Sequence, residues 1–393
     1  MVAIFADTDK MKNRFFLPLL VFAFAFSLET ASALEYIRFI RDGKERNEEG
    51  RIILEARTGI AFEARDGRLY DIMPENIITR SRDDTPFVPY TKAEMIERLK
   101  EEFPPDEGYF FLDNGPFIVV YTTSRSFATW YGRLLERLHS QYVQHWRRRG
   151  VELIAPEFPL VAIVLSNEER FRQHARQTGA TLFPEQRAYY HKLSNRIVLY
   201  DMSGLQAFRE GDQRRIATDI QRFLSHPSAY HNVMTVVHEG VHQVGFNTGM
   251  HPRYAPSPRW LLEGLALFHE VPDTNNRTIG WTLGPRVNSP RLEHLRRYLN
   301  RPHHESPIKK MLQEDDLFRR SETALDYYAL AWGLIYYLER QKPKALAAYL
   351  KILQAKTPRS NDNAEIRIRD FESAFGSDWN TFERDFVNYL RRL

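Results

Sequence analysis

Two histidines stand four residues apart near the middle of the chain, in the segment TVVHEGVHQVGF from Thr235 to Phe246. Four residues at about 100° each return to nearly the same side of a helix, so His238 and His242 would share one face. Two imidazole rings placed in this way can bind one metal ion, and Glu239 lies beside them. The H-E-x-x-H pattern is thus open to two interpretations, a zinc site or a helix with two incidental histidines.

The residues around this motif favour a helix. Met234, Val237, Val241 and Val244 recur at helical spacing, and Gly249 is a plausible stop. The chain has no cysteine, which excludes disulfides, thiol catalysis and cysteine-ligated zinc. Any metal must therefore be bound by histidine, aspartate or glutamate.

A catalytic zinc site usually has three protein ligands, so a third one is needed. An H-E-x-x-H-x-x-G-x-x-H site is not met, because Thr248 occupies the last position and His251 comes three residues late. Glu263 is the better candidate, on a helix PRWLLEGLALF with Ser257 as N-cap and Pro258 at its first position. Gly264 and Ala266 beside it are small enough to let two helices approach closely. The alternative is an exposed glutamate, but apolar neighbours make an unpaired carboxylate there costly.

The H-E-x-x-H motif followed by WLLEGLA resembles the gluzincin branch of the zincin metallopeptidases. More narrowly it is similar to a bacterial family of unknown function, DUF1570, with a Trp-x-x-Glu-Gly-x-Ala motif after the histidine helix. The likeness covers roughly residues 189–337. It implies a substrate-pairing edge strand before that helix, for which NRIVLYD is suited. Gluzincins carry an acidic residue four positions after the third ligand, where this chain has Leu267. The sequence therefore does not identify the residue that orients His238 or His242 through its other ring nitrogen.

The resemblance implies that His238, His242 and Glu263 bind Zn²⁺ and that Glu239 is the general base toward a zinc-bound water. It also implies an oxyanion donor on a later helix, where DYYALAW offers Tyr327 and Tyr328. Tyr328 is preferred because it begins the Tyr-x-x-small-aromatic pattern of similar sequences, although either tyrosine could simply belong to the core. The other histidines weighed for the site are placed outside it: His231, His269, His303 and His304.

The order of the elements predicts an α+β fold with a zincin-like domain. Asp-Gly turns between short β-rich runs indicate a small all-β unit over residues 34–88, and Thr91 and Glu94 form a capping box that starts a helix reaching about Phe103. Strands and helices then alternate up to the histidine helix, which predicts a mixed sheet in an upper subdomain over residues 89–250. The helical remainder, residues 251–393, forms the lower subdomain with the third zinc ligand.

The N-terminus reads as a signal peptide over residues 1–33, with the true start at Met11 and small residues at Ala31 and Ala33. A buried N-terminal helix is the alternative. The net charge of +4 is mild and the basic residues are largely scattered, so no nucleic-acid partner is expected. The apolar run from Phe15 to Ser27 is too short to span a bilayer comfortably, and no stable membrane span is expected after signal removal. The leading hypothesis is an exported, periplasmic or secreted zinc metallopeptidase acting on a peptide or protein substrate. The alternative is a non-catalytic zincin-like binding module of the cell envelope.

Overall fold

The structure, a computed structural model, describes residues 32–183, 185–202, 220–273, 280–284 and 286–393. Most of the predicted signal peptide, residues 1–31, lies outside these ranges. The fold is α+β, as the sequence predicts, with two five-stranded sheets and a helical C-terminal part. No helix within the described ranges combines the length and apolar character needed to cross a bilayer.

The first sheet is antiparallel and forms the N-terminal unit, with strands in the order β4-β3-β2-β1-β5. Its members are β1 (Ala33–Arg41), β2 (Lys44–Ala56), β3 (Gly59–Ala64), β4 (Leu69–Ile72) and β5 (Ile77–Pro86). One face is buried around Phe39 and Phe62. Helix α1 (Lys92–Glu102) follows, and Thr91 and Glu94 form the predicted capping box at its start.

The second sheet has the order β6-β7-β8-β10-β9 and forms the centre of the molecule. Its strands are β6 (Phe110–Asn114), β7 (Phe117–Tyr121), β8 (Leu160–Leu165), β9 (Ala188–His191) and β10 (Arg196–Tyr200). Strands β7, β8 and β10 are parallel, and β6 and β9 lie antiparallel at the two edges. All six residues of β8 are buried, as expected for a strand covered by helices on both faces.

The chain segment expected to provide the edge strand lies inside the sheet, so that prediction is wrong. Residues of NRIVLYD form β10, which pairs with β8 on one side and with β9 on the other. The edge strand is β9, the short segment AYYH. The apolar run of β10 fits its burial between two neighbours, whereas the shorter and more polar β9 fits an edge.

Helices cover both faces of the central sheet. One face packs against α1 and α3 (Glu168–Thr178). The other packs against α2 (Arg125–Arg148) and the histidine helix α4 (Ser228–Asn247). The remaining helices extend the same hydrophobic core; they are α5 (Arg259–His269), α6 (Ser289–Leu299), α7 (Pro307–Gln313), α8 (Ala324–Gln341), α9 (Pro343–Gln354), α10 (Ala364–Phe375) and α11 (Trp379–Arg392).

Candidate metal centre

Helix α4 is fixed to the central sheet by buried amide side chains. Gln243 Nε2 donates to the backbone carbonyls of Val161 (3.1 Å) and Asn195 (2.8 Å). One turn later, the side-chain amides of Asn247 and Asn195 donate to each other's oxygens at 2.7 and 2.8 Å. Because buried amides must keep their hydrogen bonds, these contacts fix the rotation of the helix. They hold His238 and His242 on the side that faces α5.

Helix α5 begins at Arg259, one residue later than predicted, with Pro258 rather than Ser257 at its N-cap. Asp315, from a 3₁₀ turn over Asp315–Phe318, accepts a hydrogen bond from the Arg259 backbone amide at 2.9 Å. A side chain distant in sequence therefore serves as the cap. Contrary to expectation, Gly264 faces α8 and not α4. A Cβ built at this position would lie 2.8 Å from the Ala331 carbonyl oxygen of α8. The small residue instead permits close packing of α5 against α8.

The two histidines and Glu263 direct one ligand atom each toward a common point. The Nε2 atoms of His238 and His242 are 3.3 Å apart, and Glu263 Oε2 lies 3.3 Å from the first and 3.8 Å from the second. For tetrahedral coordination with bonds of about 2.0–2.1 Å, the ligand atoms are about 3.4 Å apart. The spacing and the N, N, O donor set both fit a zinc-sized ion. No other histidine or carboxylate among the described residues joins this group.

Glu270 orients the first of these rings. Its Oε2 lies 2.8 Å from His238 Nδ1, and its Oε1 accepts a hydrogen bond from Asn288 Nδ2 at 3.3 Å. A proton on Nδ1 leaves the lone pair of Nε2 free for a metal. Glu270 follows Glu263 by seven residues and sits at the C-cap of α5. Glu270 therefore supplies the hydrogen-bond partner of His238 that Leu267 cannot supply. The sequence analysis did not identify Glu270.

The ionisation of these side chains reflects a buried cluster that attracts a cation. Burial by itself would lower the pKa of His238, but its hydrogen bonds to Glu263 and Glu270 raise it well above the ordinary value. Burial lowers the pKa of His242 to about 4. Burial would raise the pKa of Glu263, yet its hydrogen bond with His238 and the nearby positive charges lower it to about 2. His242 is thus a neutral imidazole and Glu263 an ionised carboxylate, whereas the surroundings of His238 favour its protonated form.

Glu239 lies next to this point and is held by the edge strand. The backbone amide of Tyr190 in β9 donates to Glu239 Oε2 at 2.7 Å. Burial raises the pKa of the carboxyl group, while His238 and the Tyr190 amide oppose that effect. The sequence offers no motif for this contact, because it depends on a backbone amide of a strand 49 residues away. Glu239 therefore combines a fixed position with an environment suited to proton transfer.

The two candidate tyrosines of α8 lie in different surroundings. Tyr327 is buried and packs against Tyr298 and Phe318. Tyr328 is partly exposed; burial raises its pKa to about 12, and the charges that act on it include Glu263, Arg259 and Glu239. Only Tyr328 is thus influenced by the candidate site.

Two arginines border the same region and were missed at the sequence level. Arg259 Nη2 lies 3.4 Å from Glu263 Oε1, one helical turn earlier on α5. The Arg291 guanidinium lies 5.7 Å from the centre of the Tyr328 ring. Arginines are frequent on protein surfaces, so their types alone gave no signal. These residues add positive charge around Glu263 and Tyr328.

The histidines placed outside the site by the sequence also lie outside this group of ligand atoms. His251 packs beside Gly245, at the C-terminal end of α4. His269 is buried and accepts a hydrogen bond from the Trp146 indole at 3.1 Å. His231 is exposed on α4, and His303 and His304 are exposed near the end of α6.

A family model matches the part of the chain that carries this centre. It covers residues 232–360 and describes a protein family of unknown function, DUF1570. This segment resembles DUF1570. The match, about a third of the chain, extends from α4 into the segment after α9 and includes His238, Glu239, His242, Glu263 and Tyr328. The predicted likeness to DUF1570 is thereby confirmed over this range. No curated protein matches the chain.

Proposed function

We propose that this protein is a zinc-dependent hydrolase that cleaves peptide bonds and that its fold is zincin-like. The observation that carries the proposal is the convergence of three ligand atoms beside a fixed glutamate. Two histidines one turn apart on α4 and a glutamate on the next helix are the donor set of gluzincins, which the sequence motif resembles. The edge position of β9 next to Glu239 further supports the likeness, since an extended substrate can pair with such a strand.

In this proposal His238, His242 and Glu263 hold the ion. A bound zinc ion supplies a Lewis acid that polarises the substrate carbonyl and makes water more acidic. Glu270 keeps the His238 ring in the tautomer that leaves Nε2 free, through the 2.8 Å contact with Nδ1. Arg259 neutralises part of the charge of Glu263 from 3.4 Å. These protein groups define where the reacting carbonyl group can lie.

Glu239 performs the proton transfers. Its carboxylate accepts a proton from the attacking water and donates it to the nitrogen of the leaving amine. The amide of Tyr190 keeps Oε2 in place, so the other oxygen is available for this exchange. Tyr328 is the proposed donor to the oxyanion, because its hydroxyl group remains protonated with a pKa of about 12. The signal peptide predicted over residues 1–33 supports an activity outside the cytoplasm.

Metal content and cleavage of a quenched-fluorescence peptide library test the proposal together. We expect about one zinc per chain in the wild type and in Glu239→Gln, and a strong loss in His242→Ala and Glu263→Ala. Of these four proteins only the wild type should cleave peptides, because Glu239→Gln retains the ligands but cannot take up the proton. His231→Ala is the matched control, since His231 is exposed on the same helix. Absence of zinc after reconstitution, or zinc without cleavage of any peptide, would contradict the proposed function.

A further inference from the structure

A cleft of about 830 Å³ lies where the N-terminal sheet meets the central sheet, and we call it the arginine cleft. Its walls come from β1, β2 and β4, the end of α1, the end of α3 and the β9–β10 hairpin. Four acidic residues also line the cleft: Asp42, Glu101, Glu102 and Glu107. Six arginines line the same cleft and outnumber the acidic residues: Arg41, Arg46, Arg68, Arg98, Arg176 and Arg196.

Some of these arginines are neutralised within the protein and others are not. Arg68 and Arg196 share Glu102, with Arg196 Nη1 2.7 Å from both carboxylate oxygens. Arg46 and Arg176 form no ion pair with any carboxylate in the described part of the chain, and Arg46 Nε is buried without a hydrogen-bond partner. The positive groups left over make the arginine cleft suited to a carboxylate.

A second observation comes from the buried Arg196. Its side chain is only 4% exposed, and its Nη2 has no hydrogen-bond partner. The closest carboxylate oxygen recorded for this atom, on Asp66, is 3.9 Å away, which is too long for a hydrogen bond. A buried guanidinium nitrogen without an acceptor is costly, so Arg196 leaves an unmet hydrogen-bond donor in the wall of the cleft.

Strand β9 connects the arginine cleft with the candidate metal centre. Tyr190 stacks on Phe246 of α4, on the face that holds Glu239, whereas Tyr189 and His191 line the cleft. Side chains alternate between the two faces of a strand. A polypeptide that adds to the edge of β9 would share this alternation, so every second side chain would project toward the cleft.

We propose that the arginine cleft binds acidic side chains of an extended polypeptide paired with the edge of β9. The inference deepens the proposed function, on which it rests, by naming substrates with Asp or Glu at alternate positions. A polypeptide is favoured over an anionic polysaccharide because no other strand of the described chain covers the edge of β9, where the Tyr190 amide donates to Glu239 and the Ala188 carbonyl accepts from Gln186. The carboxylates then meet Arg46 and Arg176, which form no ion pair with the described residues.

Binding can be measured without turnover, by fluorescence anisotropy with the Glu239→Gln protein at low salt. The probes are a labelled peptide of alternating Glu and Thr and its Gln–Thr counterpart, which has the same period and no charge. The test variant adds Arg46→Gln and Arg176→Gln, leaving the Arg68 and Arg196 ion pairs intact. The matched control adds Arg133→Gln, because Arg133 is exposed on α2, which packs on the other face of the sheet.

We expect the Glu–Thr peptide to bind about tenfold more tightly than the Gln–Thr peptide. The test variant should weaken its binding by about 3- to 10-fold, and Arg133→Gln should have no effect. Equal affinity for the two peptides, or an unchanged affinity in the test variant, would overturn the inference. So would equally tight binding of polygalacturonate, which carries carboxylates but cannot pair with a strand. A protein that binds the acidic peptide but cleaves nothing would contradict the proposed function alone.

Discussion

Replacing Glu270 tests whether this side chain prepares His238 for a metal ion. The carboxylate is buried, lies 2.8 Å from His238 Nδ1 and also accepts a hydrogen bond from Asn288. In Glu270→Ala the ring loses the acceptor that fixes its tautomer and its rotation. In Glu270→Gln an oxygen acceptor remains but the negative charge is removed. We therefore expect zinc affinity to fall in both variants, and further in the alanine variant.

The size of the loss follows from the hydrogen bond. A hydrogen bond to a charged group contributes about 1.5–3 kcal/mol, and about 1.4 kcal/mol corresponds to a tenfold change in affinity. The alanine variant should therefore bind zinc about 10- to 100-fold more weakly, the range found when such partners of metal ligands are removed. The glutamine variant should lose less than about tenfold, since its amide oxygen can still accept the Nδ1 proton.

Competition with a fluorescent zinc chelator measures these affinities directly, and thermal unfolding of the metal-free proteins checks that each variant is folded. Glu293→Ala is the matched control, because Glu293 is exposed on α6 and, among the described residues, pairs only with the exposed Arg297. This control should bind zinc as the wild type does. If Glu270→Ala binds zinc within about threefold of the wild type, the hydrogen bond does not prepare the ligand and the reasoning is refuted.

Two further predictions concern Tyr328 and Glu102. Tyr328→Phe should lower kcat about 100-fold with little change in KM or zinc content, while Tyr327→Phe should retain activity; equal effects in steady-state kinetics would contradict the assignment. Burial would raise the pKa of Glu102, but Arg196 and Arg68 lower it to about 2, so its stabilising effect is present above pH 4.5 and is lost as pH falls toward 2. Because a third of this side chain is exposed, Glu102→Gln should cost only about 1 kcal/mol at pH 7, and its denaturation midpoint should converge with that of the wild type in acid. A constant difference across this pH range would contradict the ion-pair explanation.

Local patterns in the sequence predicted several of the elements and the three side chains that meet at the candidate metal centre. Helical periodicity around H-E-x-x-H predicted α4, and the capping residues Thr91 and Glu94 predicted the start of α1. The same motif, together with Glu263 on the next helix, specified three side chains that the fold brings within 4.8 Å of one another. These features depend on residues close in sequence, where spacing fixes direction.

The partners of these side chains depend on contacts that spacing does not encode. Glu270 lies one helix away from His238, and Tyr190 reaches Glu239 through a backbone amide, which no residue type reveals. The N-cap of α5 was misplaced by one residue because Asp315 supplies it from a distant turn. Each of these contacts joins segments whose relative position is set by packing of the core.

The sequence by itself determined that His238 and His242 would share one face of a helix and that Glu263 would lie on a later helix, because side-chain direction on a helix follows from residue number alone. Only the tertiary structure decided which strand forms the edge and which carboxylate orients His238. It also decided that the N-terminal sheet closes an arginine-lined cleft against β9. The physical reason is that strand order and helix packing arise from burial of apolar surface across the whole chain. That burial brings together polar groups whose proximity no local pattern records.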